Sequence, residues 1–216
     1  VDSKLVYEVE KNNVKIFKGY TITNTFGYKR INRISLMQLS KDGQKVVGSK
    51  IDLSCDCLGM SGGWTPAVHL FTQSGGKLKF REEDQVFIPN IYPSDQISVG
   101  SCNGDLTLDE ILINTPNTLK GFLNIKNSEY TNMEILSSIN KSKRNIWLLP
   151  SDKILGKTKS FVDYQNDATA KDIKLALREG FKSIEHVKRY TTTGMGTDQG
   201  KLGNMHALGI ISETAD

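Results

Sequence analysis

The sequence predicts an α+β chain, and two patterns carry that assignment. From Val14 to Leu58 apolar and polar residues alternate at period two in short β-rich runs, the signature of half-buried strands. From Thr169 to about His206 apolar residues instead recur at helical spacing, in stretches separated by glycines. The composition permits a buried core, since 38% of the 216 residues are hydrophobic and 24% charged.

The elements follow in order. Val14–Phe17, Tyr20–Thr23, Arg33–Leu36 and Val46–Leu53 read as strands of an antiparallel meander, with Lys41-Asp42-Gly43 as a hairpin turn whose glycine accepts positive φ. Cys55–Met60 reads as a short strand running into Ser61-Gly62-Gly63-Trp64, where two glycines let backbone approach a ligand closely. Gln85–Pro89 is a further strand. Ile97–Gly100 leads into Ser101-Cys102-Asn103-Gly104, then a helix from Leu106 to about Leu123, expected to break near Thr115 because Pro116 follows. Residues 124–160, rich in Asn, Ser and Lys, read as a linker with one apolar anchor at Ile146–Pro150. In the last block Thr169 caps a helix over Ala170–Glu179 that buries Ile173, Ala176 and Leu177, with Gly180 at its C-terminal end. Ser183 caps a second helix through Tyr190, the loop Thr191–Gly196 follows, and a third helix starts near Gly200.

Charge narrows the partners. The net +4 hides a basic first block, an acidic stretch over residues 51–110, a basic stretch over 111–160 and a nearly neutral end. No segment has the one-sided charge of a nucleic-acid module, and no apolar run reaches the roughly 18 residues of a membrane span, so neither nucleic acid nor membrane is expected as a partner. Cys55, Cys57 and Cys102 fit no disulfide framework and point to a reducing, cytoplasmic setting. The start at Val1, with no signal-peptide pattern, reads either as a processed N-terminus or as a piece of something longer.

Catalytic motifs are absent: no HExxH, GxSxG or phosphate-binding P-loop occurs, and His186 sits within a helix as an ordinary residue. Cys55 and Cys57 lack the second ligand pair of a zinc site. Anion binding is the chemistry the residues best support. Gly100, Ser101, Asn103 and Gly104, and separately Thr191, Thr192 and Thr193 with Lys188 and Arg189, put hydroxyls, glycines and cations beside helix ends; plain turns and caps are the other reading of both.

Two long stretches then resemble a known family. Phe161–Ile173, Arg178-Glu179-Gly180 and Ser183–Lys201, and upstream Cys55–Leu70 with its SGGW run and Ser98–Gly104, are similar to the alpha subunits of heterotetrameric sarcosine oxidases. The resemblance implies an internal segment of such a subunit: residues 1–122 as the closing part of a two-dinucleotide-binding flavoprotein-type domain, 123–160 as linker, and 161–216 as a small helical domain resembling the bacterioferritin-associated ferredoxin fold. It implies FMN at an interface with the beta subunit, NAD in the full-length alpha subunit, gamma and delta subunits completing a heterotetramer, and amine oxidation performed by the beta subunit. Gly62, Gly63, Trp64, Gly100, Ser101, Asn103, Gly104, Lys188, Arg189, Thr191, Thr192 and Thr193 become the cofactor-binding candidates, with no catalytic residue in this chain. The ferredoxin-like resemblance puts four cluster-ligand positions at Asp163, Gln165, Asp198 and Gly203; none is a cysteine, so a cluster-free version is expected. A subunit-assembly adaptor, or the alpha subunit of another heteromeric amine or amino-acid dehydrogenase, stays open beside this reading.

Overall fold

The computed structural model describes residues 4–93, 95–125, 145–153, 157 and 159–215. It combines antiparallel β-sheets with helices, in two units: Met60–Asn145, and Asp2–Gly59 together with Ile146–Asp216.

In the second unit a short helix α1 (Lys4–Lys11) precedes a three-stranded antiparallel meander of β1 (Tyr20–Phe26), β2 (Arg33–Leu39) and β3 (Val46–Ser54). Ile22 faces Leu36 and Ile34 faces Leu53, with one bulge in each pairing. The buried positions are partly polar: Thr21, Thr23 and Ser35 lie beside Ile34 and Leu36, and the Ser35 hydroxyl is satisfied by Asp52 Oδ1 at 2.5 Å. Gly43 in the β2–β3 turn has φ +71°, as its position requires. Val14–Phe17 is irregular rather than a strand, and β3 stops at Ser54, so Cys55–Met60 is irregular too. Period-two patterning marks residues that tolerate a strand, but a strand needs a paired neighbour, and among the described residues neither segment joins a ladder.

The terminal block opens with a small hairpin of β6 (Phe161–Asp163) and β7 (Ala168–Thr169), followed by α4 (Ala170–Arg178), α5 (Ile184–Thr191) and α6 (Asn204–Ala215). Thr169 and Asp172 form a capping box at the start of α4. Its end is a Schellman turn, in which Gly180 N–H donates to Leu177 O and Phe181 N–H to Ala176 O, with Gly180 at φ +98°. Ile173, Ala176, Val187, Ala207, Ile210 and Ile211 form the core, and Trp147 and Leu148 pack against it from the segment before β6. The apolar anchor expected at Ile146–Pro150 is thus part of this core. Asp152, a few residues on, pairs with Lys50 of β3 at 2.7 Å. Residues 126–144, 154–156 and 158 of the expected linker lie outside the described residues.

The unit Met60–Asn145 holds α2 (His69–Gln73), a hairpin of β4 (Lys77–Arg81) and β5 (Val86–Ile91), a 3-10 turn over Gly100–Asn103, and α3 (Leu108–Leu123). Its core is small: Phe71, Val86 and Ile88, with Tyr92 edge-on to Phe71. Arg81 ties its parts together, donating to both carboxylate oxygens of Asp84 and to Gly104 O at 2.6 Å. Helix α3 runs unbroken through Pro116, against the expected break at Thr115. Proline removes one N–H, that for the Leu112 carbonyl, and this is tolerable where the turn is open to water, as the exposed Leu112 and Ile113 are. No residue of α3 is buried, although Leu108, Ile113, Phe122 and Leu123 are apolar.

Candidate functional site

The cofactor candidates of the terminal block converge on the loop between α5 and α6. Helix α5 ends at Thr191, and Thr192 leaves it in a left-handed conformation, φ +59°. The loop therefore lies at a helix C-terminus, where carbonyls rather than N–H groups are unpaired and the dipole is negative. Its own N–H groups are engaged: Thr193 N donates to Thr191 Oγ1, Gly194 N to Asp163 Oδ2 and Met195 N to Thr192 O. Thr191 Oγ1 bonds Val187 O and pairs with Thr193 Oγ1 at 2.8 Å, and Thr193 is fully buried. Thr191 and Thr193 thus shape the loop from within. Arg189 and Thr192 are exposed, and Lys188 lies 3.8 Å from Glu185. An anion placed here would be held by Lys188 and Arg189, since the Thr192 hydroxyl already donates to Thr191 O at 2.6 Å and the backbone N–H groups contribute little.

Beneath the loop sit the four positions that the ferredoxin-like resemblance assigns to cluster ligands. Asp163, at the end of β6, is 6% exposed and accepts from Gly194 N (2.8 Å), Gln165 N (2.9 Å), Asn166 N (3.0 Å) and Asn166 Nδ2 (3.2 Å). Burial pushes its carboxyl up, but the Gly194 and Asn166 donors outweigh that and hold it below the ordinary carboxylate range. Gln165 Oε1 accepts from Thr197 N, and Asp198 accepts from Gly200 N and Leu202 N. Gly203 abuts β6 so closely that a Cβ there would lie 2.6 Å from Val162 O. Two carboxylates, an amide and a glycine offer no thiolate, and a cluster does not fit them. Among the described residues no group of three or more His, Cys, Asp or Glu could hold a metal ion.

Asn166 was not legible as a site residue. It donates to both Asp163 Oδ2 and Thr192 O (3.1 Å), linking the β6–β7 turn to the loop. The Asp163–Asn166 spacing, typical of a side-chain-stabilised turn, is the signal that could have found it. Asn204 Oδ1, at the start of α6 against Gly194 and Gly200, is buried with no hydrogen-bond partner.

The candidates in the other unit are arranged differently. Gly104 ends the 3-10 turn at φ +89°, and a Cβ there would meet Ile88 and the Arg81 guanidinium, so its glycine serves close packing. Gly100 is buried, Ser101 exposed, and Asn103 Oδ1 lies 3.4 Å from the Tyr92 hydroxyl. The N-terminus of α3 is capped by the chain itself: Thr107 and Glu110 form a capping box, and Glu110 Oε2 accepts from Leu106 N and Thr107 N. A pyrophosphate at that helix start would compete with a carboxylate already in place. Gly62 and Gly63 have open space where a Cβ would be, and Trp64 is 83% exposed, so this loop is free on the chain's own surface.

Antiparallel sheets and a helical terminal block define a mixed α+β chain, to which comparison with known proteins adds. Residues 157–216 match the sarcosine oxidase A3 domain. The chain as a whole is similar to sarcosine oxidase alpha subunits. It is 29% identical over 227 residues to that of Rhizobium meliloti (strain 1021), covering 99% of this chain and 21% of that subunit. It is 29% identical over 206 residues to that of Corynebacterium sp. (strain U-96), covering 93% of this chain and 21% of the subunit. The chain thus spans about a fifth of the length of these relatives. Its fold is like that of the L-proline dehydrogenase crystal structure from P. horikoshii, with a TM-score of 0.53 and 19% identity, over 98% of this chain and 43% of that one.

Proposed function

We propose that the chain is a segment of the alpha subunit of a heteromeric, flavin-dependent sarcosine oxidase, an enzyme that oxidatively demethylates sarcosine to glycine. Similarity to sarcosine oxidase alpha subunits along 99% of the chain carries this reading. Residues 1–122 correspond to the later part of a dinucleotide-binding domain, 123–160 to a linker, and 161–216 to a helical domain that faces the flavin. Amine oxidation takes place on a beta subunit, and this segment frames cofactors; gamma and delta subunits complete the assembly in the cytoplasm.

Bound FMN at the alpha–beta interface supplies an acceptor for electron pairs. Lys188 and Arg189 offer charge to its phosphate, and the Thr192 hydroxyl offers a directional contact once it turns from Thr191 O, while Thr191 and Thr193, bonded to each other, keep the loop in shape. Gly62, Gly63 and Trp64 are the surface offered to NAD or a neighbouring domain. Gly100, Ser101, Asn103 and Gly104 form the turn that seats α3.

The test is co-expression with the partner subunits and measurement of flavin absorbance in the purified complex. Arg189→Ala with Thr192→Ala should lower FMN content while leaving subunit stoichiometry unchanged. Unchanged FMN would remove the loop from the flavin site, and a complex without flavin would overturn the reading altogether.

A further inference from the structure

We propose that Asp163 and Gln165 are positioning residues that tether the loop Thr192–Thr197 by hydrogen bonds, at the places where a cluster-bearing module would use metal–thiolate bonds. The inference rests on the flavin-facing reading of this loop for its functional part, and on the geometry alone for its structural part.

The loop needs holding. Thr192 and Gly194 are both left-handed, at φ +59° and +75°, and a threonine adopts that conformation only at a cost. Three contacts from the β6–β7 turn meet it along its length: Asn166 Nδ2 to Thr192 O, Gly194 N to Asp163, and Thr197 N to Gln165 Oε1. The Asp163 carboxylate is buried, its four hydrogen-bond donors are all neutral N–H groups, and no salt bridge to it is found among the described residues. A buried charge kept without a counter-ion has to be stabilised by such donors, and one of the four comes from 31 positions away in the sequence. Two glycines let the loop and α6 approach the β6–β7 hairpin closely. Gly196 has no Cβ where Gln165 packs on it, and Gly203 has none where it meets Val162 O. The loop that carries Thr192 is thereby held at Gly194 by Asp163 and at Thr197 by Gln165, while Asn166, itself bonded to Asp163, holds Thr192 O.

Amide hydrogen exchange on the whole chain, with FMN content of the co-purified complex as second readout, tests this. Asp163→Asn turns one acceptor into a donor facing N–H groups, and Gln165→Leu removes the acceptor for Thr197. Exchange at Gly194 should speed up about ten- to hundredfold, as expected for losing a buried, charge-assisted hydrogen bond, and exchange at Thr197 about two- to tenfold, as for an exposed neutral one. Protection in α4 and α6 should stay as in the parent chain. Gln165→Glu keeps an acceptor oxygen and should restore both slow exchange at Thr197 and FMN content. Unchanged exchange at both amides overturns the tether. Faster exchange with full FMN retention overturns its positioning role. If Asp163→Asn does not fold, the Gln165→Leu and Gln165→Glu pair, at an exposed position, decides the matter. A parent complex that holds no flavin would instead sink the functional reading and leave the tether standing on the exchange data.

Discussion

The indole of Trp147 lies directly against Gly209, so closely that a Cβ on Gly209 would overlap the ring atoms Cγ, Cδ2 and Cε2. Gly209 is in the middle of α6, where alanine would ordinarily be favoured by about 1 kcal/mol. Gly209→Ala should therefore reverse the usual sign and destabilise the chain by about 1–3 kcal/mol through overpacking. Urea unfolding checks this, and combining it with Trp147→Ala should give less than the sum of the two single losses. A stabilising Gly209→Ala would refute the contact.

The same contact bears on truncation. The segment similar to the A3 domain begins at residue 157, but Trp147 and Leu148 cover the core of α4, α5 and α6 from outside that segment. A chain beginning at Asn145 should melt at a higher temperature than one beginning at Ser160, because the shorter one exposes that core surface. Calorimetry of the two decides it, and equal melting temperatures would show that the strap contributes nothing.

In the other unit Arg81 carries two duties at once. Arg81→Ala leaves Asp84, whose side chain is 7% exposed, without its partner, a loss expected to cost about 3–5 kcal/mol. Arg81→Lys keeps the charge but not the planar fork that reaches both Asp84 and Gly104 O, and should recover only part of the loss. Denaturant midpoints for the two variants test the order; a lysine variant as stable as the parent would show that charge alone suffices.

Acid should loosen the terminal block through Asp163. Its folded carboxyl is held below the ordinary range, chiefly by the Gly194 and Asn166 donors working against burial. A depressed folded pKa contributes stability that is fully present above the unfolded value, about 3.9, and is lost as pH falls through the folded value. Stability followed from pH 6 downward should drop below about pH 4, and the drop should be shallower in Asp163→Asn. Asp172, lowered by its hydrogen bonds with Thr169, contributes in the same direction, so Asp172→Asn in the same series separates the two. Identical slopes for parent and Asp163→Asn would rule out the linkage.

Local grammar accounts for what the sequence disclosed. The cap at Thr169, the turn glycines Gly43 and Gly180 and the buried stripe Ile173–Ala176 each depend on a few neighbouring residues, and each stands where expected. What depended on distant partners was hidden. Val14–Phe17 and Cys55–Met60 alternate like strands yet join no ladder among the described residues, while β4, α2 and α1 lacked a periodicity long enough to register. Pro116 was expected to break α3 because the helix rule considers the lost N–H and not the exposed turn around it. At the candidate site the hydroxyl and glycine pattern located the loop, but not that it follows a helix C-terminus. Nor could it show that Gly194 N–H is engaged by a carboxylate from across the fold.

The tether has a chemical consequence apart from its geometry. A metal cluster held by thiolates can be oxidised, chelated or stripped, and a loop that hangs on it inherits those vulnerabilities. The Asp163 carboxylate resists oxidants that attack a thiolate, and its neutral donors give dissolved salt little to screen. A module built this way keeps its loop in place without a sulfur-based joint that an oxidant could erode.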